Sequence, residues 1–390
     1  MSDDVTPVCY QVNLQPGFGG GERYTVSFAR ALDALGVDTV LFAHPSALYW
    51  EKQLPGGARV VRVTGAAQIG RQLPGAPCWL AFHTLADAKI VGALRAAGHW
   101  LTCFAHMPLY GRSPAAFEPY ELVFGVSQYV LTSLRDAGIA TGYAEALYGT
   151  ADLGSETAER SLVRAASPYD WDPRKVRDRL FGFGYQFYDR VRREEPFVRQ
   201  AGTTLGIVSR ITPIKQFPLL FGLLAPVLAR HPAFSLEIFG AGGYASVRDL
   251  RRALRPIRDR VRFWGQQSDV RSVYRQLDYL LTGLPEKEAL GLNVIEAQAC
   301  GCPVLAVEAP PFTETVGDGA TGLFYSDPRS DQGAAFERLL ERLEREPFRI
   351  DPARAEPYRA RFSMDAMRLR VARVLQTPRA IRVVGDTACA

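Results

Sequence analysis

A chain of 390 residues is long enough for two domains of ordinary size, each with its own core. Its 47% apolar and 22% charged composition excludes a disordered protein, and no run of 18 or more apolar residues exists, which excludes an ordinary membrane-spanning helix. The net charge of +5 is modest, yet only five lysines stand against 41 arginines.

The amino terminus, Met1 to Pro7, is acidic and lacks a basic or apolar lead, so no secretory signal is expected. Val8 to Leu14 is a short apolar run of β character, followed by Gln15-Pro-Gly-Phe-Gly-Gly-Gly-Glu22. From Arg23 onward, Val26, Phe28, Ala29, Leu32 and Leu35 recur at helical spacing until Gly36 ends the run. Strand, glycine-rich loop and helix is an order that lets backbone amides at a helix N-terminus approach phosphate. Gly17, Gly19 and Gly21 do not fit the dinucleotide pattern G-x-G-x-x-G, and the next strand, Thr39 to Phe42, ends in Ala43-His44 without a ribose-binding acid.

Val60–Val63, Cys78–Phe82 and Trp100–Phe104 read as further strands, and His83 and His106 each follow one of them. A histidine in that position is more often structural than catalytic. Leu122 to Gln128 and the helical pattern to Gly138 complete another strand–helix unit. Ser155 to Gly202 mixes charges with aromatics, and a segment of this length is not expected to be structureless. It is expected to hold one or two helices and to pack over a cleft or hinge. Within it, Asp170-Trp171-Asp172 reads as acids at the start of a helix over Arg174 to Leu180, in preference to a metal-holding string.

Thr203 to Ser209 reads as a strand, and Arg210-Ile-Thr-Pro-Ile-Lys215 places two cations in the loop after it. Both can face one cleft and stabilise an anion there. Strands over Leu236–Phe239 and Val261–Trp264 bracket an Arg-rich helix. The stretch Arg248 to Arg262 carries seven Arg and two Asp. It reads as a solvated helix face or, alternatively, as an attraction to anionic lipid or to a phosphate-bearing acceptor. Nucleic acid is not expected, because no aromatic-studded basic groove accompanies it.

Leu277 to Leu281 reads as a buried strand, and Asn293 to Cys300 as a short helix closed by Gly301 and Pro303. Glu288 then lies in the loop at the strand's carboxyl end, where α/β folds keep their ligand sites, and Glu296 about one turn inside the helix. Eight residues apart, they are separated by roughly 12 Å at the helical rise. That is too far for an acid/base pair on one bond, since paired glycosidase carboxylates sit about 5–9.5 Å apart. It suits one extended ligand touched at both ends. The six cysteines (Cys9, Cys78, Cys103, Cys300, Cys302, Cys389) form no framework, which suits a reducing cytoplasm, and no second pair completes a zinc site around Cys300-Gly-Cys302. Phe362 to Leu375 closes the pattern as an amphipathic helix.

The stretch Leu284-Pro-Glu-Lys-Glu288 through Glu296-Ala-Gln-Ala-Cys-Gly-Cys-Pro-Val304 resembles the E-x7-E signature of the retaining glycosyltransferases of family 4, and Gly19-Gly-Gly-Glu22 resembles that family's GG-x-E element. The resemblance implies the α/β GT-B fold, two doubly wound Rossmann-like domains facing across a cleft. Expected boundaries are residues 1–154 for an N-terminal acceptor-side domain and 155–202 for a partly helical interdomain segment. Residues 203–362 would form the donor-side domain, and 363–390 a helix crossing back to the first. Ala144 to Asp152 would be the N-terminal domain's closing strand. The implied roles are Glu288 facing the donor sugar and Glu296 holding the ribose hydroxyls, with Gly291 and Leu292 beside them. Arg210 and Lys215 would neutralise the diphosphate, helped by the amides near Gly20 and Gly21, and His106 would stand near the donor sugar.

The implied reaction moves a sugar from a nucleotide-diphosphate sugar to a hydroxyl with retention, using no metal and no cofactor beyond the donor substrate. The expected acceptor is a saccharide or a lipid-linked molecule in bacterial surface polysaccharide or glycolipid synthesis. The expected location is the cytoplasm, with peripheral contact to the inner face of the membrane. A sugar-nucleotide epimerase or hydrolase is the enzymatic alternative, and a non-catalytic nucleotide-sugar-binding partner subunit is the other.

Overall fold

The computed structural model describes residues 6–140, 142–153, 161–172 and 175–384; the expectations for Met1–Val5 and Cys389 lie outside them. Two compact units are present, one built from the chain up to Asp152 together with Ala360 onward, the other from Leu153–Arg359.

The first unit is a six-stranded parallel sheet in the order β3-β2-β1-β4-β5-β6. Its strands are β1 (Val8–Asn13), β2 (Asp38–Ala43), β3 (Arg59–Arg62), β4 (Trp79–Phe82), β5 (Trp100–Ala105) and β6 (Leu122–Gly125). Cys9 pairs with Thr39 on one side and Trp79 on the other, so β1 is central. Central parallel strands are covered on both faces and need continuous apolar runs; all four residues of β4 are fully buried. The helix Gly20–Asp33 packs Phe28 edge-on against Trp79 and Phe104, with ring centroids at 6.0 and 4.9 Å.

The same helix is covered by Met364–Leu375, capped by the Ser363 hydroxyl and burying Met367, Val371, Val374 and Leu375. Ion pairs fasten this arrangement: Arg30 to Asp152 at 2.7 Å and Arg373 to Glu145 at 2.6 Å. The strand expected over Ala144 to Asp152 does not form. Tyr143 N–H donates to Val123 O at 2.8 Å and Leu147 N–H to Gly125 O at 2.9 Å, so the chain only brushes the end of β6 before leaving it.

The second unit repeats the plan. Its parallel order is β12-β11-β10-β7-β8-β9, from β7 (Thr203–Val208), β8 (Phe234–Phe239), β9 (Val261–Gly265), β10 (Tyr279–Leu281), β11 (Val304–Val307) and β12 (Gly322–Tyr325). Helices Phe217–Arg230 and Ala334–Arg345 bury Leu220, Phe221, Leu224, Phe336 and Leu340 in its main core. Glu237, fully buried on β8, accepts from Arg262 and from Trp264 Nε1 at 2.6 Å, which is how a charge is tolerated inside. Cys302 is buried in the second core, with Cys300 packed against it.

The described part of 155–202 groups with this unit and packs along β9. Ala165 N–H donates to Trp264 O at 2.9 Å, and Val163 bridges Pro196. It holds one helix among the described residues, Val176–Val191, which runs past the expected end at Leu180, while the expected start at Arg174 lies outside the described residues. Asp170 and Asp172 therefore precede the helix, and Asp178 is the acid of its first turn. Among the described residues, no three or more His, Cys, Asp or Glu side chains gather as a metal would require, and no helix is long and apolar enough to cross a membrane.

Candidate active site

Both sheets have the strand order in which the chain reverses direction between its first and fourth strands, and ligands of such sheets sit outside the carboxyl ends of the strands at that point. In the second unit the reversal lies between β7 and β10, which are paired through Leu205 with Tyr279. Arg210 and Lys215 leave the end of β7, and Glu288 leaves the end of β10.

Lys215 Nζ and a carboxylate oxygen of Glu288 form a direct ion pair. Their side chains are 26% and 15% exposed, half-desolvated yet open to a ligand. Glu288 also accepts from the Ala289 amide at 3.3 Å. Gln216, left-handed at φ 54°, turns the chain between Lys215 and the helix Phe217–Arg230, and its side chain donates to Glu286 at 3.3 Å. Glu286 is ion-paired with Arg329. The two loops touch closely at Gly283, where a Cβ would stand 2.7 Å from the Lys215 carbonyl. Arg210 is exposed and has no carboxylate partner among the described residues.

Gly291, left-handed at φ 80°, turns the chain into the helix Leu292–Ala299. Glu296 lies on its second turn, 7% exposed, and accepts from Tyr274 Oη at 3.1 Å. Burial first, and then the neighbouring Glu296 charge, raise the Tyr274 phenol well above its usual range, so it stays a donor. The structure therefore brings Lys215 and Glu288 into contact, sets Gly291 and Leu292 at the start of the next helix, and buries Glu296 within it.

In the first unit the corresponding reversal lies between β1 and β4. Gly20 and Gly21 open the helix that follows β1, with Gly19 as its cap residue. Asn13, at the end of β1, holds the turn by donating to Thr25 Oγ1 at 3.0 Å and accepting from the Gln15 amide at 3.2 Å. His83 follows β4 and His106 follows β5. The rings meet, His83 Nδ1 to His106 Nε2 at 3.2 Å, and His83 Nε2 lies 2.9 Å from Gln11 Oε1. With the Gln11 amide donating to Thr39 Oγ1 at 3.2 Å, its oxygen accepts from His83 Nε2–H. His83 Nδ1 then accepts from His106 Nε2–H, which leaves His106 Nδ1 an acceptor without a partner among the described residues.

Burial lowers the pKa of His106 to about 4, although the residue as a whole is only half-buried. Burial and then the His106 charge hold His83 well below its usual range. Both rings are neutral at neutral pH. His83 stacks on Phe104 at 4.5 Å, and Tyr24 meets His106 edge-on at 5.1 Å. Gln11, His83 and Tyr274 are the polar groups that the sequence reading did not place in a site. A glutamine inside the apolar run Val8 to Leu14 was the available signal for the first, while nothing in the pattern marked Tyr274.

Against this geometry, the family "Glycosyl transferases group 1" matches residues 191–360, most of the second unit. The chain is 26% identical to a D-inositol 3-phosphate glycosyltransferase of Frankia alni over 370 residues, covering 85% of this chain and 88% of that one. A Rhodococcus opacus protein of the same name is 34% identical over 165 residues, 40% of this chain and 36% of its own. Among solved structures, Anabaena Alr3699/HepE in complex with UDP-glucose aligns with a TM-score of 0.68 at 18% identity, covering 95% of this chain and 99% of that one. Sucrose-phosphate synthase from Thermosynechococcus elongatus aligns with a TM-score of 0.68 at 16% identity, over 95% and 98%. The fold is thus α/β, two Rossmann-like domains of the kind found in GT-B proteins.

Proposed function

We propose that this protein is a retaining glycosyltransferase of family 4 that moves a sugar from a nucleoside-diphosphate sugar to a hydroxyl acceptor. The observation that carries the reading is the Lys215–Glu288 pair at the point where the second sheet reverses, with Glu296 buried on the following helix. The family matched by residues 191–360 and the names of the relatives support it.

In this reading Arg210 and Lys215 face the diphosphate, and Glu296, with Gly291 and Leu292, holds the nucleoside. The bond between the anomeric carbon and phosphate breaks, its electron pair passes to the phosphate oxygen, and the two cations stabilise the charge that develops there. The acceptor hydroxyl attacks the same face and gives its proton to a phosphate oxygen, so configuration is retained. Glu288 orients the sugar. In the first unit, Nδ1 of His106 accepts a hydrogen bond from a sugar hydroxyl, and the amides of Gly20 and Gly21 offer donors to an anion. Neutralisation by fixed cations makes a metal ion unnecessary. The acceptor is a saccharide or lipid-linked molecule of surface polysaccharide or glycolipid synthesis, and inositol phosphate belongs beside these in the test because of the relatives' names.

A thermal-shift panel of nucleoside diphosphates and nucleotide sugars tests the donor, since a ligand at about 100 times its Kd adds roughly 2.7 kcal/mol of stability. The preferred donor is then incubated with each acceptor in excess EDTA, and the anomeric configuration of the product is read by NMR. Acceptor-independent hydrolysis or epimerisation as the sole reaction overturns the assignment, as does an inverted product or a strict metal requirement.

A further inference from the structure

The helix Val176–Val191 carries a bare apolar face. Val176, Leu180, Phe183, Phe187 and Val191 recur at i, i+4, i+7, i+11 and i+15, the spacing of one helical face. All five are 62–75% exposed. The opposite face joins the helix to its own unit: Asp178 is buried, and Tyr185 and the 54% exposed Phe181 lie against Trp171 at 5.3 and 6.0 Å.

The charges sort with the same geometry. At about 100° per residue, Arg177 and Arg179 fall on either side of the stripe, each roughly 80° from its centre, and Arg190 falls about 60° away. Asp178 and Asp189 fall on the far side. Arg177 is occupied by Asp178, whereas neither Arg179 nor Arg190 has a carboxylate partner among the described residues. The Arg-rich stretch lies alongside, because Arg251 lines one cavity with Leu180, Phe181 and Tyr188. From the helix Tyr244–Ala253 and the turn after it, Arg252 and Arg258 stand 67% and 78% exposed, beside Asp249 at 4.0 Å and Asp259 at 3.5 Å.

We infer that this face docks on an anionic lipid surface. The helix lies in the plane of the membrane, its apolar stripe among the upper acyl chains and its flanking arginines at the headgroup phosphates. An uninterrupted apolar centre, with Arg179 and Arg190 on one border, Arg177 on the other and Asp178 buried on the far side, complements a negatively charged bilayer. The inference uses the second unit alone and does not depend on which sugar is moved.

The test is co-sedimentation of the full chain with vesicles of phosphatidylcholine, alone or with about 30% phosphatidylglycerol. The wild type is expected to pellet with the anionic vesicles, less so as salt rises, and to stay in solution with the neutral ones. Phe183→Glu with Phe187→Glu should lower the bound fraction about tenfold without moving Tm, because both rings are exposed. Arg179→Glu with Arg190→Glu should weaken the preference for phosphatidylglycerol. Leu48→Glu, at an apolar side chain 72% exposed in the first unit, should bind as the wild type does. A wild type that ignores anionic vesicles overturns the inference, and so does a Phe183/Phe187 variant that pellets normally. Sedimentation velocity without lipid supplies the remaining outcome: a dimer dissolved by that variant would assign the face to a second copy of the chain and overturn docking on lipid.

Discussion

Lys215 is one of five lysines in a chain with 41 arginines, and it is the cation that the fold brings onto Glu288. Lys215→Ala and Glu288→Ala should each lower transfer at least about 100-fold with little change in Tm, because the first removes charge stabilisation made in the transition state and the second the sugar's orientation. Wild-type turnover in either purified variant contradicts the assignment. His106 gives a pH signature. Its folded pKa is about 4 against an ordinary value of 6.5, so between these values the unfolded chain holds more protons than the folded one. Stability contributed here is full above about pH 6.5 and is lost as pH falls toward about 4. The kcat/KM profile should show an acid limb near pH 4, where His106 Nδ1 stops being an acceptor, and His106→Gln should remove that limb and flatten the stability slope. These residues differ in how far they could be read from sequence. Arg210, Lys215, Glu288 and Glu296 lie in loops and a helix directly after strands, where short-range pattern locates them. The Gln11–His83–His106 chain joins residues 72 and 23 positions apart. It exists only because β4 lies between β1 and β5, an order that periodicity does not specify.

The strands of both sheets were legible because buried parallel strands are continuous apolar runs bounded by turn residues. Val176–Val191 was legible only in its first turns. Gly182 and Gly184 break the helical pattern by low propensity, and the helix continues because Trp171 packs over Gly182, where a Cβ would meet its side chain at 3.3 Å. Ala144 to Asp152 looked like a strand and is held instead by a few hydrogen bonds to the end of β6. The terminal helix Met364–Leu375 carries the clearest consequence at this scale. It buries four apolar side chains, and at about 1.5–3 kcal/mol each the upper estimate is roughly 6–12 kcal/mol, comparable with the stability of a whole domain. A chain ending at Phe362 should therefore lose the cooperative unfolding of the first unit while keeping that of the second, as followed by calorimetry. Two intact transitions in the truncated chain would show the helix to be dispensable.

Each unit has its own parallel sheet and core, and both use one strand order with candidate groups where it reverses. Calorimetry of the full chain should report this division. A saturating nucleoside diphosphate should raise the transition of the second unit by the linkage amount, and Lys215→Ala should abolish the rise. A shift confined to the transition that the truncation removes would place the diphosphate on the first unit and refute the roles given to Arg210 and Lys215.

The contact between Lys215 and Glu288 has one further consequence. The ammonium already carries a counter-charge from its own chain, so an arriving polyphosphate must displace an internal competitor before it gains the cation. Glu288→Gln lifts that competition and should hold nucleoside diphosphate more tightly than the native protein while turning over almost nothing. Grip and throughput would then move in opposite directions from a single exchange of oxygen for nitrogen.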